Sequence, residues 1–146
     1  MNFQPTNAPV PTDYLKDDGA PYTTARGYGW SGASLSTRDR GVHPDQRLDT
    51  FVFTQPNAIA TWRFDLPNGD YRISLASGDA TWNQGPHVIV VEGSTVINQV
   101  TTQPNEFLTL TDHLATVTDG SLSIAVGGST FHSMLNYVII TPITGG

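Results

Sequence analysis

The sequence predicts an all-β chain folded as a two-sheet antiparallel β-sandwich. Three observations predict it. From Leu48 onward, short runs of alternating apolar and polar residues recur roughly every 8 to 12 residues. Glycine, asparagine and aspartate turn chemistry separates them. No segment shows helical periodicity with caps. A chain of 146 residues is one ordinary domain's worth, 1–146, and buries enough surface to fold without metal or disulfide.

The first 48 residues read as one short strand, Met1 to Gln4, followed by long ordered loops. Pro5, Pro9, Pro11, Pro21 and Pro44 punctuate them, and Tyr14, Tyr22, Tyr28 and Trp30 argue against disorder. Ile59 to Asp65 alternates, with Trp62 and Phe64 in phase on the buried face. Asn68-Gly69 supplies the positive φ angles of a tight hairpin, so Tyr71 to Ser77 is expected to pair with the preceding strand. His87 to Glu92 and Thr95 to Val100 form a second hairpin around Glu92-Gly93-Ser94. Glu106 to Leu110 and Leu114 to Thr118 read as two more strands. Asp119-Gly120 is a further hairpin signal, leading into Leu122 to Val126. Met134 to Thr141 reads as a nearly continuous apolar strand, central in its sheet.

Net charge is −6, with Lys16 the single lysine. An acidic chain without a basic cluster is a poor partner for nucleic acid or an anionic membrane surface. No apolar run approaches the roughly 18 residues of a membrane helix. Met1 to Pro5 lacks the basic and apolar regions of a signal peptide, and Thr144-Gly145-Gly146 reads like a cut linker. Cysteine is absent, which removes disulfides, thiol nucleophiles and cysteine zinc sites. Charged residues make up 14% of the chain against an average of about 25%, a composition closer to an extracellular β-protein.

Six stretches together resemble a known group: Tyr28-Gly29-Trp30, Arg38-Asp39-Arg40-Gly41, Phe64 to Tyr71, Ser77-Gly78-Asp79-Ala80, Val91-Glu92-Gly93 and Leu135 to Ile140. Their order and spacing resemble the galactose-binding-like jelly-roll domains found beside carbohydrate-active enzymes. Among them, the chain is similar to malectin-like domains and to the non-catalytic module of rhamnogalacturonan acetylesterases. The resemblance spans Phe3 to Pro142. It implies a carbohydrate-binding module in a larger secreted protein, linked to a hydrolase, lyase or esterase. It also implies an asparagine near the last strand that reads a sugar hydroxyl, a place that Asn136 occupies. Many such modules hold a structural calcium. An aspartate in the last strand is a frequent ligand, and Leu135 to Pro142 has none.

A sugar site needs a flat aromatic platform with fixed donors and acceptors beside it. Trp82-Asn83-Gln84-Gly85, in the loop before His87, offers both, a tryptophan beside two amides; the plain alternative is a tryptophan packed over a sandwich edge. Tyr28 and Trp30 form a second aromatic loop, with Trp30 alternatively plugging one end of the sandwich. His132 lies in the loop just before Asn136. Arg38-Asp39-Arg40 and Asp45-Gln46-Arg47 could anchor a uronate, although mutual pairing that pins a long loop is the blander and stronger reading. His43, His87 and His113 read as surface or strand polar residues, and Asp79 as a turn cap. The candidate ligand-binding residues are therefore Trp82, Asn83, Trp30, Tyr28, Asn136 and His132.

No catalytic role is expected. Glu92 and Glu106 are the only glutamates, each beside a turn or strand start, so the carboxylate pair of a glycosidase is not evident. No nucleophile elbow or phosphate loop stands out. The competing expectation is a structural or assembly domain whose loop aromatics anchor an interface. A small esterase or lyase is the weakest reading.

Overall fold

The computed structural model describes residues 1–143, so the terminal Thr144-Gly145-Gly146 lies outside the described residues. The elements in chain order are β1 (Asn2–Phe3), β2 (Lys16–Asp17), β3 (Tyr28–Gly32), β4 (Ser36–Asp39), a single helical turn α1 (Gln46–Asp49) and β5 (Thr50–Phe53). Then follow β6 (Ile59–Asp65), β7 (Gly69–Asp79), β8 (Gln84–Val91), β9 (Ser94–Thr102), β10 (Glu106–Val117), β11 (Ser121–Gly127), β12 (Met134–Leu135) and β13 (Tyr137–Pro142).

Two five-stranded sheets make the sandwich, one ordered β10-β7-β13-β1-β2 and the other β3-β6-β11-β8-β9. A three-stranded sheet, β12-β5-β4, stands at one side. All named pairs are antiparallel except β1 with β2. The predicted all-β sandwich is therefore what the chain adopts. Alternation explains the core: Tyr71, Ile73 and Leu75 of β7 face Trp62 of β6 and Leu122, Ile124 and Val126 of β11, all buried in one cluster. Val52 and Leu135 bring the small sheet into the same cluster.

Two expected hairpins are corrected. Asn68-Gly69 does not fold β6 onto β7: β6 pairs with β3 and β11, while β7 pairs with β10 and β13. Asp119-Gly120 likewise carries the chain from β10 in one sheet to β11 in the other. These two crossings lie side by side, with Gly120 N donating to Asn68 Oδ1 at 2.8 Å and Leu66 N to Gly120 O at 3.0 Å. Each of the joined strands has a large apolar face, and placing them on opposite sheets lets those faces bury one another. The Glu92-Gly93 hairpin forms as expected, with φ of 46° and 80° at its two central residues, and β8 pairs with β9.

Other expectations shift in detail. The strands expected at Glu106 to Leu110 and Leu114 to Thr118 are one strand, β10, interrupted by a bulge between Leu110 and His113. The expected strand Met134 to Thr141 breaks at Asn136 into β12 and β13, which join different sheets. β13 is the middle strand of its sheet, but Ile139 is exposed, so only one face is covered. The first 48 residues contribute β2, β3 and β4 in addition to the expected first strand.

Of the two expected places for His87, surface or strand, the structure gives the strand, and buries it. Its ring is fully buried in β8, with Nε2 2.9 Å from Thr102 Oγ1 and Nδ1 without a partner. Burial lowers its pKa to about 4. The unfolded chain takes up this proton near pH 6.5, before the native state does, so protonation favours unfolding. Stability is then expected to fall by about 3 kcal/mol as pH drops from about 6.5 to about 4. Urea midpoints measured across that window check this. A His87→Leu variant should lose most of the slope, and an unchanged slope would refute the assignment.

Candidate ligand-binding site

The site begins with strand alternation in the small sheet. Arg38 stands opposite Phe51 in the β4–β5 register, and Ser36 opposite Phe53. Arg38 and Arg40, two residues apart, share a face with Phe51 and Phe53. Those phenyl rings, 5.8 Å apart, form a second small core with Met134, separate from the main one. Each is roofed by a guanidinium: Arg38 lies 5.0 Å from the centroid of Phe53, and Arg40 lies 5.3 Å from that of Phe51. Such stacking keeps the long side chains flat and leaves their edges free.

Arg40 is fixed from the other side by Asp79, at the end of β7. Nε donates to Oδ1 at 3.0 Å and Nη2 to Oδ2 at 2.7 Å, a two-pronged pair on a carboxylate that is itself fully buried. Asp79 also accepts from Thr81 N and Gln84 Nε2, both at 2.9 Å. Burial alone would raise the Asp79 pKa, but the Arg40 guanidinium and these two N–H groups outweigh it and hold the carboxyl below its ordinary value. The expected turn cap is therefore present in the Thr81 bond, and the same residue also positions Arg40 and Gln84. Arg38 and Arg40 do not pair with the Asp39 between them, whereas Arg47 and Asp45 do pair, at 2.8 Å.

His132 closes the third side. Its Nδ1 donates to the Thr54 carbonyl at 2.8 Å, and its ring meets Phe53 edge-on at 5.2 Å. With Gln55 and Gln84, these groups line an open cleft of about 330 Å³. Gln84 also lines an adjoining groove of about 320 Å³, together with Asn83, Pro86 and Phe131. Gly85 lets this groove form: its φ is 109°, and a Cβ there would sit 2.9 Å from the Val100 carbonyl. Trp82 and Phe131, in loops that supply these linings, are 60% and 62% exposed.

The structure thus gathers three of the six sequence-predicted residues, Trp82, Asn83 and His132, at one end of the molecule. The other three are corrected. Trp30 belongs to the core: it is 4% exposed, its edge meets Phe3 at 5.7 Å, and its Nε1 donates to Asp17 Oδ1 at 3.0 Å. Tyr28 is half-buried and stacks on Phe64, 5.8 Å away, outside the cleft. Asn136 is fully buried, and both polar atoms of its amide are committed to backbone groups. Phe131 was missed as a site residue, while Gln84 was read as an amide beside Trp82 and Arg38 and Arg40 mainly as partners of neighbouring charges. A phenylalanine in the glycine-rich Gly127 to Ser133 stretch, outside any alternating run, was the available signal for Phe131.

A calcium site of the kind the resemblance implies does not fit these residues. Asp79 is committed to Arg40, Asp17 to two indoles, and Asp49 to three backbone N–H groups. Among the described residues, no group of three or more His, Asp or Glu side chains could hold a metal ion.

Another groove, of about 360 Å³, is largely apolar, with Leu15, Leu66, Ile139 and Pro142 among its lining. It reaches Tyr71, near the start of β7, whereas the cleft adjoins Asp79 at its end. Strand rise puts the two about 26 Å apart. The apolar groove lacks the clustered donors that distinguish the cleft.

No protein-family model and no curated protein sequence matches the chain. Among solved structures it is similar to protein YxiM of Bacillus subtilis, with a TM-score of 0.69 and 18% identity, over 98% of this chain and 39% of that one. It is also similar to β-glucuronidase 2 of Bacteroides uniformis, with a TM-score of 0.63 and 17% identity, over 90% of this chain and 15% of that one. A B. uniformis β-glucuronidase structure gives 0.61 and 16%, over 90% and 16%. The chain thus spans well under half the length of each of these proteins. At such identities the likeness is one of fold: an all-β sandwich that recurs as a part of larger proteins.

Proposed function

We propose that the chain is a non-catalytic carbohydrate-binding module whose ligand lies across the groove and cleft beside Trp82. One observation carries this reading. Two large aromatics, Trp82 and Phe131, stay mostly exposed beside a groove that presents the Asn83 and Gln84 amides. Sugar C–H faces stack on such rings, and amides both donate to and accept from hydroxyls. Loops on a rigid sandwich are where such recognition is built. The cleft lining includes no carboxylate, which suits binding better than glycoside cleavage. The resemblance to modules of rhamnogalacturonan acetylesterases and malectin-like domains supports the same reading. Its role is to hold a linked carbohydrate-active enzyme on polysaccharide, raising effective concentration in an extracellular setting. Neither nucleic acid nor membrane is a partner in this reading.

Isothermal titration against a panel of neutral and acidic polysaccharides tests it. Trp82→Ala should weaken the best ligand about tenfold, the worth of one good stacking contact, without lowering the melting temperature. Folded protein that binds no glycan would end the proposal.

An assembly role draws on a different observation, the apolar groove at the far end of β7, where Leu15 is 56% exposed. Light scattering separates the two readings. Self-association abolished by Leu15→Asp, together with no glycan affinity, would favour assembly.

A further inference from the structure

The cleft beside the groove sets two guanidinium groups among two glutamine amides and His132, with no carboxylate in its lining. The chain has net charge −6 and seven Lys and Arg residues, yet two of those seven line this one cleft. Asp39, between them in sequence, does not neutralise them. It follows strand alternation to the other face, where its carboxylate accepts from Gly41 N at 3.1 Å. Arg38 gives Nη1 to the Thr37 carbonyl at 2.7 Å, and its Nε and Nη2 have no partner among the described residues. Arg40 spends Nε and Nη2 on Asp79, and its Nη1 has no partner among the described residues.

A carboxylate only accepts, at two oxygens, and matches a fork of guanidinium N–H groups. The guanidiniums are already ordered over Phe51 and Phe53, so binding pays little rotamer entropy. We infer that the cleft holds the carboxylate of a uronic acid unit between Arg38 and Arg40, while the Trp82 and Phe131 groove takes the neutral faces of adjacent units. This rests on the carbohydrate-binding reading and narrows it to acidic polysaccharides.

The test compares polyuronates, such as polygalacturonate and polyglucuronate, with the same polymers after chemical reduction of their carboxyl groups to primary alcohols, which keeps backbone and linkages. The acidic polymer should bind at least tenfold more tightly than its reduced form, and its affinity should fall with added salt. Arg38→Ala should remove most of that difference, and Arg38→Lys should restore only part of it. Arg38 is exposed, so both variants should keep the wild-type melting temperature. Equal binding of acidic and reduced polymers, or an Arg38→Ala variant with wild-type preference, would overturn this inference while leaving carbohydrate binding intact. A sulfated galactan that binds more tightly than any polyuronate would overturn the assignment to a carboxylate. Folded protein that binds none of these polymers would overturn both readings.

Discussion

Replacing Asn136 with alanine is expected to lower the stability of the fold by about 2–4 kcal/mol and to leave glycan affinity unchanged. The side chain sits where the chain leaves β12 for β13 and changes sheets. Its Oδ1 accepts from Gly78 N at 2.9 Å, and its Nδ2 donates to the carbonyls of Thr50 at 3.0 Å and Gly78 at 3.1 Å. All of this happens at zero exposure. Alanine leaves a buried N–H and at least one buried carbonyl unpaired, each costing about 1–3 kcal/mol. Against a total stability of about 5–15 kcal/mol, that is a large fraction. Urea unfolding should show a lower midpoint with an unchanged slope. The opposite pattern, normal stability with lost glycan binding, would return Asn136 to the ligand site.

Asp17→Ala is expected to cost a similar amount, about 2–4 kcal/mol, through a different network. Asp17 is a buried carboxylate with no salt-bridge partner among the described residues. Its Oδ1 accepts from Trp30 Nε1 at 3.0 Å and from Gly19 N at 2.8 Å, and its Oδ2 accepts from Trp62 Nε1 at 2.9 Å. Burial pushes its pKa up despite these donors, so part of what it contributes is offset by desolvation. An indole has a single N–H and no acceptor, so removing the carboxylate strands two donors inside the main core. Asp17→Asn separates the terms. Its amide oxygen can still accept from one indole, but its NH₂ group faces the other donor to donor. The expected order of urea midpoints is wild type, then Asn, then Ala. An Asn variant as stable as wild type would show that the second indole bond contributes nothing.

These two residues also mark where sequence reading stops. Trp62 was legible as core because it alternates with polar neighbours over a seven-residue strand. Trp30 was not, because β3 is short, holds two glycines, and shows too little alternation to reveal its inward side. Its anchoring partner, Asp17, lies in a two-residue strand that carries no pattern at all. Trp82 was legible as a loop residue, but whether it stays exposed or packs over a sandwich edge was decided only by the structure, which leaves it exposed. Arg38 and Arg40 looked like a local charge pattern. Their cleft appears only when β4, β5, the end of β7 and the loop carrying His132 come together.

Turn dipeptides show the same limit. Glu92-Gly93 and Asn68-Gly69 both read as hairpins, and only the first is one. A dipeptide sets local φ and ψ, but it does not choose the partner of the strand that follows.

By itself the sequence determined the all-β sandwich and the phase of its long strands, because alternation of side chains along a strand is a local property. Only the tertiary structure decided which turns cross between sheets, that Asn136 and Trp30 serve the interior, and that two arginines share a cleft. The physical reason is distance along the chain: Asp17 meets Trp62 across 45 residues, and Asn136 meets Thr50 across 86. Such pairings are selected by which apolar faces can bury each other, and no local window contains both partners.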